Sequence, residues 1–112
     1  MSTRPEPLAD RLRALLGTQP SLREQQMFGV RAFMVNEKLL VGAGGDGSLL
    51  IRADPERHRE LLARTGAAQA EMGAGRSMGP GWLRVAPDSI ATEGELSSWV
   101  DVALEHNASL QE

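Results

Sequence analysis

One stretch of the chain, residues 23–53, constrains the fold more than any other because strand-forming residues alternate there with turns. Within it, residues 31–35 alternate so that Phe33 and Val35 share one face of a strand. Asn36–Glu37 predicts a two-residue hairpin turn, and a glycine-rich turn follows at residues 44–47. Connections this short join antiparallel strands, so the stretch predicts an antiparallel sheet.

Helical patterns lie on both sides of this stretch. Leucines between residues 8 and 16 fall on one stripe of a first helix. Asp54–Pro55 predicts the start of a second helix, with an aspartate N-cap and a proline in the first turn. Thr92 and Glu95 form a capping box at the start of a third helix, which is expected to end near His106.

Further strands are predicted at residues 48–53, 67–72 and 82–85. The loop at residues 73–81 contains four glycines and a proline and is expected to be too flexible to pack well. The predicted order is helix, three or four strands, helix, one or two strands, helix. Because the strands are grouped rather than alternating with helices, the sequence predicts an α+β fold of two layers, an antiparallel sheet with helices on one face.

A chain of 112 residues forms one domain. We expect it over residues 8–108, between a flexible N-terminal lead-in at 1–7 and a tail at 109–112. The sequence has no cysteine, which excludes a disulfide framework, a thiolate nucleophile and a cysteine zinc site. No apolar run approaches the roughly 20 residues of a membrane span, and the first residues lack a signal-peptide block. We therefore expect a cytoplasmic protein without membrane contact.

Charge is distributed unevenly along a chain whose net charge is −3. Residues 1–87 hold twelve Lys and Arg and nine Asp and Glu, whereas residues 88–112 hold six acids and no Lys or Arg. We expect these acids to meet the basic body within the fold; the alternative is that they repel nucleic acid or meet a basic partner. The acidity of the chain argues against direct nucleic-acid binding.

Patterns that resemble catalytic or ligand-binding motifs are better explained by structure. Residues 42–47 match the string G-x-G-x-x-G, but a strand follows where a helix would have to bind the pyrophosphate. His58 is interpreted as a solvated helix residue and His106 as a helix-end residue beside the negative end of the dipole. Asp101 and Glu105 are interpreted as a solvated acidic face. We predict no catalytic, metal or cofactor site, and the chain is interpreted as not an enzyme.

One surface stands out as a candidate for binding. If the helices cover the sheet face that carries Phe33, the opposite face carries five candidate interaction residues: Met34, Leu50, Arg52, Trp82 and Arg84. Tryptophan and arginine beside aliphatic side chains are typical of binding hot spots. The alternative is that Trp82 lies under the loop at residues 73–81 and that its neighbours are ordinary sheet surface.

Several short segments resemble those of a known family: residues 27–29 (MFG), 49–52 (LLIR), 82–87 (WLRVAP) and 99–104 (WVDVAL). Together they resemble the TfoX N-terminal domain of the TfoX/Sxy competence regulators over roughly residues 8–108. The resemblance implies an α-β3-α-β2-α fold similar to secretion chaperones, a connection to transcription regulation and competence, and no catalytic residues. In the family that the chain resembles, full-length regulators also bear a C-terminal helical domain and act with the cAMP receptor protein at promoters.

Three hypotheses for function follow. The first is a non-enzymatic protein-interaction or regulatory module that binds a protein partner, or forms a homodimer, through the uncovered sheet face. The second is direct nucleic-acid binding through five arginines: Arg52, Arg57, Arg59, Arg64 and Arg84. The third is a small-molecule-binding domain or unrecognised enzyme with a pocket near residues 73–81.

Overall fold

The computed structural model describes residues 7–19, 21–27, 30–71 and 75–110. Its elements are, in order, α1 (Pro7–Leu16), β1 (Leu22–Met27), β2 (Val30–Val35), β3 (Lys38–Gly44), β4 (Leu49–Arg52), α2 (His58–Leu62), β5 (Ala67–Gln69), β6 (Trp82–Val85) and α3 (Glu93–Ser109). Short 3₁₀ turns, Pro55–Arg57 and Pro87–Ile90, precede α2 and α3. The predicted order of helix, three or four strands, helix, one or two strands, helix is confirmed. Its first group has four strands, one more than the α-β3-α-β2-α order that the resemblance implies.

The strands of the described residues form one antiparallel sheet in the order β1-β2-β3-β4-β6-β5. The first four strands are neighbours in sequence and in space, as hairpin-length connections require. Strand β6 then pairs with β4, and β5 closes the far edge. The main contacts of α1 with the sheet are to β3, α3 packs on β3 and β4, and α2 packs on β5 and β6. The α+β prediction is therefore confirmed.

Two tight turns connect the central strands. Asn36 and Glu37 have φ angles of 53° and 67°, so both central residues adopt the left-handed conformation of a hairpin turn. The glycine-rich turn at residues 44–47 joins β3 to β4, and the Gly44 N–H donates to the Ser48 carbonyl at 2.9 Å. The G-x-G-x-x-G string is therefore part of a hairpin, as predicted. The turn or bulge predicted at Gly29 lies outside the described residues.

The helix-covered side of the sheet forms the main hydrophobic core. Leu12 of α1, Leu61 of α2 and Leu96 of α3 are fully buried there. They meet fully buried side chains of the four inner strands: Phe33, Val41, Leu49, Ile51, Leu83 and Val85. Because all three helices contribute to this one cluster, the prediction that helices cover a single face of the sheet is confirmed.

A β-bulge in β3 adapts the sheet to this core. Phe33 pairs with Val41 and Met34 with Leu39, so Leu40 is an extra residue on β3. Leu40 and Val41 are both fully buried in the main core, although they are consecutive. Leu39 belongs to a different cluster on the opposite face. The bulge therefore adds one large side chain to the helix-covered face, which simple alternation in the sequence does not reveal.

The third helix begins as predicted and ends later. The Glu95 N–H donates to Thr92 Oγ1 at 3.1 Å, and the Thr92 N–H donates to Glu95 Oε1 at 3.0 Å, which completes the capping box. The helix continues to Ser109, beyond the expected end at His106. Asn107 is 5 % exposed and its side-chain amide donates to the Val35 carbonyl at 3.3 Å. This contact with the end of β2 ties the last turn of α3 to the sheet.

Among the described residues, two ion pairs join the acidic C-terminal segment to the basic body. Arg11 of α1 lies 3.7 Å from Glu93, and Arg57 lies 3.5 Å from Glu105. Both acids are mostly exposed, so each pair contributes little to stability. The contacts support the interpretation that the charge asymmetry is at least partly compensated within the fold.

A membrane span requires a long apolar helix, and none of the helices in the described part of the chain meets that requirement.

The capping box generates a stability prediction. Thr92→Ala removes the acceptor for the Glu95 N–H and should lower the free energy of unfolding by about 1 kcal/mol. Urea denaturation followed by far-UV circular dichroism measures this change. Thr18→Ala, at an exposed position after α1, is the control and should change stability by less than about 0.5 kcal/mol. Equal losses in the two variants would show that the cap does not stabilise α3.

Candidate functional site

The five candidate interaction residues lie on the sheet face opposite the helices, which we call the open face. Leu50 of β4 is directly opposite Arg84 of β6, and Arg52 is opposite Trp82. Opposed residues in antiparallel strands share a face, as do residues two apart on one strand. Met34 shares this face from β2, on the other side of β3. The structure therefore places all five on one side of the sheet, and their role in binding stays a prediction.

The open face has an apolar floor. A second cluster consists of the buried residues Ala32, Leu39, Leu50 and Ala70, with Val30, Met78 and Trp82 packed against it. Gly42 leaves room for this packing, because a Cβ at that position would lie 2.9 Å from Val30 Cγ2. Leu50 is only 8 % exposed. It therefore supports the surface from below, and the accessible candidates are Met34, Arg52, Trp82 and Arg84.

Trp82 is the largest side chain at this surface and is half-buried. The guanidinium carbon of Arg52 lies 5.5 Å from the centre of its ring, a distance at which a cation and an aromatic face attract each other. Met78, from the loop before β6, packs against the same cluster. The loop therefore reaches the open face but leaves part of Trp82 accessible. The prediction that this loop would not pack is wrong for its described residues.

Arg84 is held by a network at the turn between β3 and β4. Its guanidinium donates to Ser48 Oγ at 2.9 Å and forms an ion pair with Asp46. Asp46 Oδ1 also accepts from the Ser48 hydroxyl at 2.6 Å and the Ser48 N–H at 3.0 Å. The pKa of Asp46 is lowered to about 2. The hydrogen bond from the Ser48 hydroxyl has the largest effect and the bond from the Ser48 N–H the next largest, and Arg84 adds to them. The network orients Arg84 along the open face.

His58 fixes the loop at its base, so its interpretation as a solvated helix residue is wrong. The Gly81 N–H donates to His58 Nδ1 at 2.8 Å. Because Nδ1 accepts this bond, the ring hydrogen is on Nε2, which donates to Gln69 Oε1 at 2.9 Å. The Gln69 amide in turn donates to the carbonyls of Gly79 at 3.0 Å and Trp82 at 3.1 Å. This set of bonds, the His58–Gln69 network, connects α2, β5 and β6 around the loop.

Gly81 is part of this arrangement because no other residue fits there. Its φ angle is +91°, which residues with a Cβ rarely adopt. A Cβ at this position would also lie 2.5 Å from the Ala53 carbonyl oxygen. The Gly81 carbonyl accepts from the Ala53 N–H at 2.7 Å, which joins the end of the loop to the end of β4.

His106 lies in the later turns of α3 and is half-buried. Its pKa is lowered, mainly because burial disfavours the charged form and further because the Arg52 cation is near. The sequence places His106 beside the negative end of the helix dipole, which by itself would favour the charged form. Among the residues that the structure describes, no three His, Cys, Asp or Glu side chains form a group that could hold a metal ion.

A shallow, open depression of about 530 Å³ lies beside the start of α3. Its lining includes Arg64, Ser89, Glu95 and Trp99. The guanidinium carbon of Arg64 lies 5.0 Å from the centre of the Trp99 ring, so the cation of Arg64 packs over this buried ring. This depression is not lined by the loop at residues 73–81, where the third hypothesis placed a pocket.

The five arginines of the nucleic-acid hypothesis do not share one surface. Arg52 and Arg84 lie on the open face. Arg57 pairs with Glu60 at 2.9 Å and with Glu105 of α3 at 3.5 Å, and Arg64 covers Trp99 of α3. Phosphate binding requires several cations along one surface, and this distribution does not provide such a stripe.

A two-layer α+β domain with one helix-covered and one open sheet face is the class that the fold defines. The family model for the TfoX N-terminal domain matches residues 14–107 of the chain. The chain therefore belongs to the TfoX N-terminal domain family, as the resemblance predicted. Neither the curated proteins nor the solved structures contain a significant match to it.

The Asp46 network generates a prediction about acid stability. The pKa of Asp46 is about 2 in the folded chain and 3.8 without the fold, so its contribution is complete above pH 3.8 and is lost as the pH falls towards 2. Asp46→Asn should therefore lower stability at neutral pH and flatten the pH dependence of unfolding between these values. Ser48→Ala, which removes the hydroxyl donor, should flatten it partially. Denaturant unfolding at stepped pH measures both, and an unchanged slope in Asp46→Asn would contradict the account.

The His58–Gln69 network generates a prediction about the loop. His58→Ala leaves the Gly81 N–H and the Gln69 oxygen without their partner and should lower the free energy of unfolding by roughly 1–3 kcal/mol. Hydrogen exchange at Gly81 and Met78 should accelerate more than in the core strands. Arg59→Ala, an exposed neighbour on the same helix, is the matched control and should change neither quantity. Uniform acceleration across the sheet would mean that His58 stabilises the whole domain rather than the loop.

Proposed function

We propose that the chain is a non-enzymatic protein-interaction module of a regulatory system and that the open face binds its protein partner. One observation carries this proposal: a half-buried tryptophan, flanked by an arginine cation, lies on the face from which all three helices are absent. Tryptophan and arginine are the residues most enriched among the few that dominate binding energy at protein interfaces. The buried floor beneath them keeps their side chains in place.

The chemistry of the open face specifies the kind of partner. Met34 and Trp82 present apolar area that an apolar side chain of the partner would cover. On this face the ion pairs use Arg84, with Asp46, and Arg23, with Glu37. Among the described residues, Arg52 lies in no ion pair and has the Trp82 ring as its neighbour. We therefore expect the partner to carry a carboxylate beside its apolar group, which would form an ion pair with Arg52.

Membership of the family supports a place for this module in transcription regulation and competence. In that setting the domain would act through another protein rather than through DNA, because its arginines are divided between the open face and the helical layer. The family contributes no catalytic residues that could be carried over to this chain. The proposal therefore assigns no reaction to it.

Affinity capture on the immobilised chain tests the proposal. Trp82→Ala and Arg52→Ala should each lose a partner that the wild type retains. In titrations with that purified partner, Trp82→Ala should bind about 30-fold more weakly, as expected for a hot-spot residue. Thermal melts establish that both variants are folded at the temperature of the titration.

The matched control for this experiment changes the helical layer. Asp101→Ala alters an exposed side chain of α3 and should bind the partner as the wild type does. A partner that is lost with Asp101→Ala but retained by folded Trp82→Ala and Arg52→Ala would place the binding surface on the helices and refute the proposal.

A further inference from the structure

The two edges of the sheet differ in how much they are protected. Strand β1 is six residues long and lies at one end of the strand order; no described segment pairs with its outer side. At the other end, β5 has three residues. The chain beyond β5 folds back on itself, with a bridge between Glu71 and Ser77 and a bond from the Met78 N–H to the Ala70 carbonyl at 2.9 Å. The outer side of β1 is thus the longer unprotected row of backbone donors and acceptors.

The charged side chains of β1 do not shield this edge, although edge charges often have that function. On the open face, Arg23 forms an ion pair with Glu37 at 2.7 Å. On the helix-covered face, Glu24 pairs with Arg13 of α1 at 2.8 Å and with Arg31 of β2 at 3.3 Å. These partners draw both side chains inward, over the two faces of the sheet and away from its edge.

The helical layer also leaves the edge accessible. The main strand contacts of α1 are to β3, two strands inward from β1, and Arg13 reaches out to Glu24 with its side chain. Arg23, Gln25 and Gln26 of β1 are exposed. An additional strand could therefore pair with β1 without displacing a described element.

Self-complementarity indicates which strand would pair there. In a two-fold antiparallel pairing of β1 with itself, the residue at the centre lies opposite its own copy. Centres at Arg23 or Glu24 would place like charges opposite each other, which is destabilising. A centre at Gln25 pairs two amides, places Glu24 opposite Gln26, and places Arg23 opposite Met27. This register contains no like-charge pair and uses five of the six residues of the strand.

We propose that two copies of this chain associate through β1, antiparallel and centred on Gln25, so that their sheets join into one. The two-fold axis is perpendicular to the joined sheet, because opposed residues in this register belong to the same face. Both helical layers then lie on one side and both open faces on the other. The dimer carries two copies of Trp82 and Arg52 related by the two-fold axis, so a partner with two matching sites would bind more tightly than to one copy.

A charge-pairing experiment on the full chain tests the dimer. Sedimentation equilibrium should give the mass of two chains for the wild type. Gln25→Lys and Gln25→Glu each place like charges at the centre, and each variant alone should give the mass of one chain. An equimolar mixture of the two should regain the mass of two chains, because the opposed residues now attract each other. Ala108→Lys, at an exposed position on α3, is the control for added charge and should remain dimeric.

The outcomes separate cleanly. Loss of the dimer in both single variants and its recovery in the mixture support β1 pairing, and the recovery also shows that both variants are folded. A wild type that stays monomeric at every concentration overturns the proposal. A dimer that persists in Gln25→Lys, or a mixture that fails to recover, also overturns it. None of these results depends on the partner proposed for the open face.

Discussion

The packing of all three helices against one face of the sheet is the constraint on which the rest of the structure depends. Phe33, Leu49 and Leu83 point to the same side from three different strands and are fully buried there. A helix on the other side would have to leave part of this apolar surface in water, at a cost of roughly 25 cal/mol for each Å² exposed. Burial of a single face therefore decides that the domain has two layers and that the opposite face is free of helices.

The open face is free of helices because of the same constraint, but other contacts determine its structure. The bulge at Leu40 directs an extra side chain into the main core and returns Leu39 to the opposite side. The open face consequently has its own small apolar floor, on which Trp82 packs beside Arg52. A sheet face with a buried floor and a few accessible, held side chains is preorganised, which reduces the entropy lost when a partner binds.

In the loop before β6, hydrogen bonds fix a segment that apolar burial alone does not hold in place. Its composition, with four glycines between residues 73 and 81, is typical of a mobile connection. In the folded chain, His58 and Gln69 provide hydrogen bonds to its second half, and Gly81 adopts a conformation that only glycine tolerates there. These donors and acceptors come from two elements that precede the loop, α2 and β5. Their combined effect is to place Met78 against the floor of the open face.

Local pattern in the sequence was sufficient for the helices, the inner strands, the hairpins, the capping box and the choice of helix-covered face, because each depends on residues within a few positions of one another. It did not place the edge strand β1 at Leu22–Met27. Even the grouping of Leu50, Arg52, Trp82 and Arg84 followed from alternation on two strands. The tertiary structure decided what depends on partners far along the chain: the burial of Leu50, the bulge at Leu40, the role of His58 and the exposure of the β1 edge. Sequence periodicity specifies which way a side chain points, whereas the contacts it meets there exist only after distant segments have packed.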